Sequence, residues 1–305
     1  MEISNPKQLK DHLQWALELE LSTIPPYLCA LYSLREGSNA EAAAVLRGVV
    51  IEEMLHMILV ANVLNAIDGE PELARAEIVP RYPDYLAHSA DQFKIGLLPL
   101  SRDAVETFLR IETPTRAGAP PEPNRYQTIG QFYAAIEEGL RRLCKEGGEK
   151  KLFVGQAQRQ IGPQCWYYGS GGDAIVVTNL ETALQALGEI TDQGEGIDHG
   201  IFDENKEHGP EKLVHYFRFE QIHAGRRYLP TDTPGSGPTG SMFPVDWSSV
   251  HPMAPNLKPA LLFEAVPAMY QLKYMAQALM QIPSGRDDGS TVGPSFEYIA
   301  DERPV

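Results

Sequence analysis

The segment IEEMLHM places a carboxylate and an imidazole, Glu53 and His56, three residues apart. In an α-helix, two side chains at this spacing project from one face toward the same point. Apolar residues surround both, including Val49, Val50 and Ile51 before Glu53. An ionised carboxylate in such company must be paired, protonated or bound to a cation. The pair therefore predicts a metal site, although a Glu and a His at this spacing also form ordinary surface pairs.

The preceding segment, ALELELSTIPPYL, offers two more carboxylates, Glu18 and Glu20. A short Gly-Ser-Asn turn at residues 37 to 39 connects it to the Glu53 segment, so the two helices should be antiparallel neighbours. Counting back from the turn brings Glu20 to nearly the height that Glu53 reaches counting forward. We expect Glu20 to meet Glu53 and His56, while a solvent-exposed Glu20 is the alternative on sequence alone.

The second half of the chain offers two sets of candidate ligands, and spacing alone permits both. One combines Glu195, near the end of a third helix, with Glu211 and His215 near the start of a fourth. The other lies deeper and consists of Glu189, Glu220 and His223, the last two forming a literal Glu-x-x-His in FEQIH.

Helical periodicity predicts the elements that carry these residues. Bundle helices are expected at about 6–34, 40–67, 180–196 and 210–228, with an additional C-terminal helix at about 259–280. Asn5 and Pro6 suit a helix start, and the Pro25-Pro26 pair predicts a kinked helix or two helices in line. Between the helix pairs lies a proline-rich insertion at about 70–178, which contains one clear helix from about 128 to 145.

Composition excludes several classes of function. The formal charge of −15 and the pI near 5.0 disfavour nucleic acid and anionic lipid surfaces as partners. No apolar run approaches the roughly 18 residues of a membrane span, and the first residues do not resemble an export signal. Three widely separated cysteines, Cys29, Cys144 and Cys165, fit reduced thiols in a cytoplasmic protein. No nucleophile elbow is present, and GSGG at 169–172 is expected to be a loop.

Four sequence runs together resemble one known family. They are ELSTIPPYL at 20–28, TIGQFYAAIEEGL at 128–140, ITDQGEG at 190–196 and VHYFRF at 214–219. In this order they are similar to the ferritin-like family named after iminophenyl-pyruvate dimer synthase, which includes a domain of violacein-type pigment biosynthesis. The resemblance runs from about residue 7 to 283. It implies a mainly α fold, with residues 1–305 forming a single ferritin-like four-helix bundle that carries the long insertion and the additional C-terminal helix.

The resemblance also selects between the two second-half sets. It places metal ligands at the glutamate of QGEG and at the histidine of the VHYFRF run, which are Glu195 and His215. Glu211 is the weakest member, because it lies four residues before His215 and not the usual three. The predicted metal ligands are Glu20, Glu53, His56, Glu195, Glu211 and His215.

Mixed carboxylate and imidazole ligands suit two iron ions, with manganese as the alternative. The expected function is that of a dinuclear iron oxidase or oxygenase, which uses dioxygen on a small organic molecule in secondary metabolism. The resemblance points to an amino-acid-derived imine as that molecule. The alternative is a non-catalytic iron-binding or metal-handling protein. The long insertion favours a substrate pocket over storage, and the sequence indicates no organic cofactor and no oligomeric state.

Overall fold

The computed structural model describes residues 2–73, 78, 80–90, 93–166, 171–195, 200–202, 213–252 and 256. Seven α-helices and one two-stranded antiparallel sheet lie within these ranges. In chain order the elements are α1 (Pro6–Tyr32), α2 (Ala40–Ala66), β1 (Asp84–Tyr85), β2 (Lys94–Ile95), α3 (Arg102–Ile111), α4 (Ile129–Gly147), α5 (Glu149–Leu152), α6 (Leu180–Glu195) and α7 (His215–Ala224). Two short 3-10 turns, Ala157–Arg159 and Pro163–Cys165, connect α5 to α6.

Helix α1 begins at a side-chain cap and continues through its two internal prolines. The Asn5 side chain accepts a hydrogen bond from the backbone N–H of Gln8 at 2.9 Å. Pro26 cannot donate to the carbonyl of Ser22, and the Tyr82 hydroxyl occupies that carbonyl at 2.7 Å. This substitute donor removes the unsatisfied group, so the prolines do not end the helix.

Helices α1 and α2 form an antiparallel hairpin with the most extensive contact between elements in the described chain. The turn between them contains Gly37 and Asn39, both with positive φ. One face of each helix is completely buried, and the core between them includes Leu13, Leu17, Leu46 and Val49. This hairpin carries the first group of predicted ligands.

The predicted insertion contributes two helices to the packed core. Helix α4 packs on α1 and α6, and α3 packs on α7 and α1. Aromatic rings pack between α3, α1 and α7. The ring centroid of Phe108 in α3 lies 4.7 Å from that of Tyr27 in α1 and 5.2 Å from that of Phe219 in α7. Helix α3 was not predicted, and its position brings Glu112, the residue after its last turn, next to Tyr27 and His215.

The fourth helix, predicted at about 210–228, is shorter at both ends in the described residues. Helix α7 begins at His215, after Val214 in an extended conformation, and it ends at Ala224 because Gly225 adopts a left-handed conformation and closes the helix. The predicted C-terminal helix at about 259–280 lies outside the described residues. None of the helices in the described ranges is long and apolar enough to cross a bilayer.

Candidate metal centre

The first group of donor atoms is Glu20, Glu53 and His56, at the middle of the α1–α2 hairpin. All three are buried, and one ligand atom from each lies within 4.8 Å of the others. His56 Nδ1 is 3.5 Å from a carboxylate oxygen of Glu20. The structure thus brings together the three first-half residues that sequence spacing selected.

The second group is Glu53, Glu112 and His215, and it satisfies the same distance criterion. His215 Nδ1 lies 3.0 Å from Glu53 Oε1 and 3.5 Å from Glu112 Oε2. Despite these short distances, Nδ1 has no hydrogen bond of acceptable geometry and is an orphaned polar atom in a completely buried side chain. An imidazole nitrogen that faces two carboxylates without a hydrogen bond is what a bound cation between them would require.

Glu53 belongs to both groups, so the two candidate ion positions are adjacent. The rings of His56 and His215 stack nearly parallel, with their centroids 5.5 Å apart. Each position has one imidazole, one carboxylate of its own and the shared carboxylate of Glu53. The donor set therefore fits two hard or borderline divalent ions, and Glu53 would be available as a ligand to both.

Hydroxyl groups hold the three carboxylates. Tyr133 of α4 donates to Glu20, and Tyr27 of α1 donates to Glu112. The Thr23 hydroxyl lies 2.7 Å from Glu53 Oε2. Burial, together with the neighbouring carboxylate, raises the pKa of Tyr133 and of Tyr27 well above the usual value for tyrosine. Both phenols consequently remain donors at neutral pH.

The far nitrogen of each histidine also has a fixed partner. His56 Nε2 donates to the Gln193 amide oxygen at 2.9 Å. His215 Nε2 donates to Glu52 Oε2 at 2.9 Å, and Arg218 holds both oxygens of Glu52 at 2.6 and 3.2 Å. When the imidazoles are neutral, as metal ligation requires, these partners keep the proton on each Nε2, and each Nδ1 presents a lone pair to the centre.

Burial of so many carboxylates is unfavourable without a cation. Desolvation raises the pKa of Glu20 to about 7 and also raises the pKa of Glu53. Burial alone would lower the pKa of His215, but its contacts with Glu112, Glu52 and Glu53 raise that pKa well above the usual value. Two divalent ions would let all three ligand carboxylates ionise together and would replace the protons that otherwise compensate them.

A small cavity of about 20 Å³ lies against these residues. Its remaining wall consists of the start of α4 and the end of α6, including Gly130, Thr191 and Gly194. One water needs roughly 10 to 15 Å³ of such space. The cavity therefore suits ions and a diatomic or water-sized ligand. Gly194 lies on a side of the cavity where a Cβ would meet nothing within 4 Å among the described residues.

The sequence of the chain matches one known protein family. The family model described as ferritin-like matches residues 13–224, more than half of the chain. The chain belongs to the ferritin-like family. This match includes α1 to α7 apart from the first residues of α1, and it confirms the resemblance drawn from the four sequence runs.

Two curated relatives of this ferritin-like chain match nearly all of it. The 2-imino-3-(indol-3-yl)propanoate dimerase of Chromobacterium violaceum is 26% identical over 99% of this chain and 35% of its own length. The dichlorochromopyrrolate synthase of Lentzea aerocolonigenes is 27% identical over 88% of this chain and 31% of its own length. The chain thus spans about a third of the length of these relatives.

A solved structure has the same fold. The crystal structure of a ferritin-like protein from Caulobacter vibrioides superposes with a TM-score of 0.56 at 23% identity, over 96% of this chain and 90% of that one. The prediction of a mainly α, ferritin-like bundle is therefore confirmed.

The remaining predicted residues of this ferritin-like chain have different locations. Glu195 is the last residue of α6, and its side chain lies outside the described part of the structure, as does all of Glu211. Of the competing set, Glu220 contacts Tyr228, and His223 lies 3.4 Å from Glu106 with about a third of its side chain exposed. The literal Glu-x-x-His of α7 is therefore not at the centre.

Glu189, the third member of that set, is connected to the centre through Gln193. Its carboxylate lies 2.6 Å from Gln193 Nε2, the amide whose oxygen accepts from His56. Glu189 can orient Gln193, and through it the His56 ring.

Sequence reasoning missed Glu112, Glu52, Arg218, Gln193 and Tyr133. Glu112 is the residue after the end of a short amphipathic helix and is followed by Thr-Pro. Nothing in its local sequence distinguishes it from a surface carboxylate. Glu52 and Arg218 had a detectable signal. Both occur in apolar runs, IEEM and YFRF, where an unpaired charge is costly and a mutual partner is implied.

Proposed function

We propose that this chain binds two iron ions, with manganese as the alternative, and uses them with dioxygen to oxidise a small organic molecule. Glu20 and His56 would hold one ion, Glu112 and His215 the other, and Glu53 would bridge them. The observation that carries the proposal is the orphaned Nδ1 of His215, which faces Glu53 and Glu112 in a completely buried site. Glu195 and Glu211 remain proposed additional ligands.

When bound, two such ions supply the capacity to bind and reduce dioxygen. Residues around the centre would hold the ligand side chains in place. Tyr133, Tyr27 and Thr23 fix the carboxylate oxygens, and Gln193 and Glu52 fix the imidazoles. Donors held this firmly need little reorganisation when the charge of the centre changes.

The names of the relatives support an aromatic 2-imino acid as the substrate class. One relative is named for 2-imino-3-(indol-3-yl)propanoate, and both are named for reactions on small organic molecules. The cavity of about 20 Å³ is too small for an indole, so the substrate would approach from the side at Gly194. We place the protein in the cytoplasm because its three cysteines are widely spaced and form no disulfide with one another, and we expect no nucleic acid partner because of its charge of −15.

Metal analysis after anaerobic addition of Fe(II) tests the metal part of the proposal. We expect about two ions per chain in the native protein, and a large loss of binding in Glu53→Ala and His215→Ala. His223→Ala is the matched control on α7 and should retain full loading. Loading that survives in His215→Ala and disappears in His223→Ala would instead support the Glu189, Glu220 and His223 set.

The substrate part is tested separately from metal binding. The iron-loaded protein should consume dioxygen faster when 2-imino-3-(indol-3-yl)propanoate is supplied, with an oxidised dimer detected by mass spectrometry. Gly194→Phe should block this reaction and keep its iron. Gly188→Phe, on the same helix and also with no described atom within 4 Å of its Cβ position, should leave the rate unchanged. Iron loading with no response to any aromatic imino acid would favour the non-catalytic metal-handling alternative.

A further inference from the structure

The two candidate ion positions have the same kinds of donor but different support behind their histidines. At each position the described ligands are one imidazole Nδ1, one carboxylate held by a tyrosine hydroxyl and the shared Glu53. Tyr133 holds Glu20 as Tyr27 holds Glu112. The described ligands and their hydroxyl donors therefore give no reason for one ion to bind more tightly than the other.

The partners of the two Nε2 atoms do differ. His215 donates to Glu52, a carboxylate that is completely buried and held at both oxygens by buried Arg218. The guanidinium gives the carboxylate of Glu52 a buried counter-charge with bidentate geometry. His56 donates to the uncharged amide of Gln193, at the same distance of 2.9 Å. The two histidines thus donate hydrogen bonds of equal length, His215 to a carboxylate and His56 to a neutral amide.

The acceptor on the far nitrogen sets how strongly the near nitrogen donates to a metal. A carboxylate acceptor draws the Nε2 proton toward itself and leaves more electron density on Nδ1 than an amide does. Loss of such a partner typically costs about 10- to 100-fold in metal affinity. His215 should therefore be the stronger of the two imidazole ligands.

The Gln193 amide cannot change its role by rotating. Its nitrogen donates to the Gly171 carbonyl at 3.0 Å and to Glu189 at 2.6 Å, which leaves the oxygen for His56. Gly171 and Gly172, the end of the GSGG run, both have positive φ and pack against α2 and α6. Hydrogen bonds thus fix the orientation of Gln193 behind His56, just as they fix Glu52 behind His215.

We infer that the two metal positions are inequivalent, and that the Glu112/His215 position fills before the Glu20/His56 position because Glu52 and Arg218 support its histidine. The inference rests on the proposed two-metal function. Glu52 and Arg218 act here as positioning residues for the tighter site. Gln193, oriented by Gly171 and Glu189, keeps the second site weaker.

The test is a titration of metal-stripped protein with Mn(II) alone. Calorimetry measures the binding steps, and electron paramagnetic resonance shows whether the bound ions are isolated or coupled. We expect two binding steps separated by about 10- to 100-fold. Up to one equivalent, the spectrum should be that of an isolated Mn(II), and the signal of a coupled pair should grow only with the second equivalent. A coupled-pair signal from the first additions, or two equal steps, would overturn the inference.

Variants assign the steps to the two positions. Gln193→Leu should weaken only the second step, by about tenfold, while the double variant E52Q/R218Q should weaken the first step until the two converge. The double variant avoids leaving Arg218 buried without its partner, and circular dichroism confirms that each variant is folded. The opposite assignment, with Gln193→Leu weakening the first step, would contradict the inference and leave the two-metal proposal intact. Failure of the native protein to bind Mn(II) at all would refute the proposed centre itself.

Discussion

At the scale of single residues, Glu112 shows how the centre depends on a side chain remote in sequence. It lies just past the end of α3, it is buried, and the Tyr27 hydroxyl of α1 holds one of its oxygens. Its other oxygen faces His215 Nδ1 at 3.5 Å. Without Glu112, the described residues would leave the His215 position with only Glu53 as a carboxylate.

Glu112→Gln should reduce Fe(II) binding from about two ions per chain to about one, because an amide is a much poorer ligand than a carboxylate for such an ion. The retained ion should be held by Glu20, Glu53 and His56. Glu106→Gln is the matched control, since Glu106 is on the same helix with 60% of its side chain exposed. Metal analysis of both proteins checks the prediction, and full loading of Glu112→Gln would exclude Glu112 as a ligand.

At the scale of elements, the glycine turn before α6 fixes how that helix meets α2. A Cβ at Gly172 would lie 2.2 Å from a Glu189 oxygen, 2.7 Å from Gln193 Nε2 and 3.0 Å from Leu55 of α2. The φ of Gly172 is +110°, a conformation that residues with a side chain rarely adopt. The turn therefore needs glycine for its conformation, and a Cβ there would displace the ends of the Glu189 and Gln193 side chains.

Gly172→Ala should destabilise the protein by about 1 to 3 kcal/mol, the usual cost of a residue held in a sparsely populated backbone region. The displaced Gln193 should also release His56. Gly188→Ala is the control in α6, because a Cβ at this position meets nothing within 4 Å in the described part of the chain and helix propensity predicts a gain of up to about 1 kcal/mol. Denaturant unfolding of the two variants measures the difference, and equal stability would show that the turn adapts without strain.

At the scale of the whole molecule, the buried carboxylates couple stability to pH. In metal-stripped protein, the pKa of Glu20 is raised to about 7 from an ordinary value of 4.5, and the pKa of Glu53 is raised in the same direction. Between those values the folded state binds more protons than the unfolded state, so stability falls as pH rises. The raised pKa of His215 acts in the same sense, and the lowered pKa of His56 acts in the opposite sense.

We therefore expect the free energy of unfolding of the metal-free protein to be largest near pH 5 and to decrease up to about pH 7 to 8. Metal reverses this trend, because ions bind the deprotonated carboxylates and binding stabilises the fold by mass action. Urea unfolding at pH 5 and pH 8, with EDTA or with Mn(II), measures both effects. In Glu20→Gln the decrease should be smaller, and a metal-free protein whose stability rises over this range would show that these carboxylates are not buried as described.

The sequence determined the parts of this protein that depend on local spacing. The α1–α2 hairpin, the register of Glu20 against Glu53, and the shared face of Glu53 and His56 all follow from helical periodicity across a short turn. The family also followed, because four short runs in order are recognisable without coordinates. A short turn between two long helices makes them antiparallel neighbours, so the heights of their side chains follow from counting residues from the turn.

Only the tertiary structure decided the second half of the candidate centre. Spacing permitted both His215 and His223 on α7, and the packing of Phe219 against Tyr27 and Phe108 turns the His215 face inward. The position of α3, and with it Glu112, depends on the same aromatic contact between helices far apart in the chain. Long-range packing selects one face of a helix from several of similar polarity, and no local pattern encodes that choice.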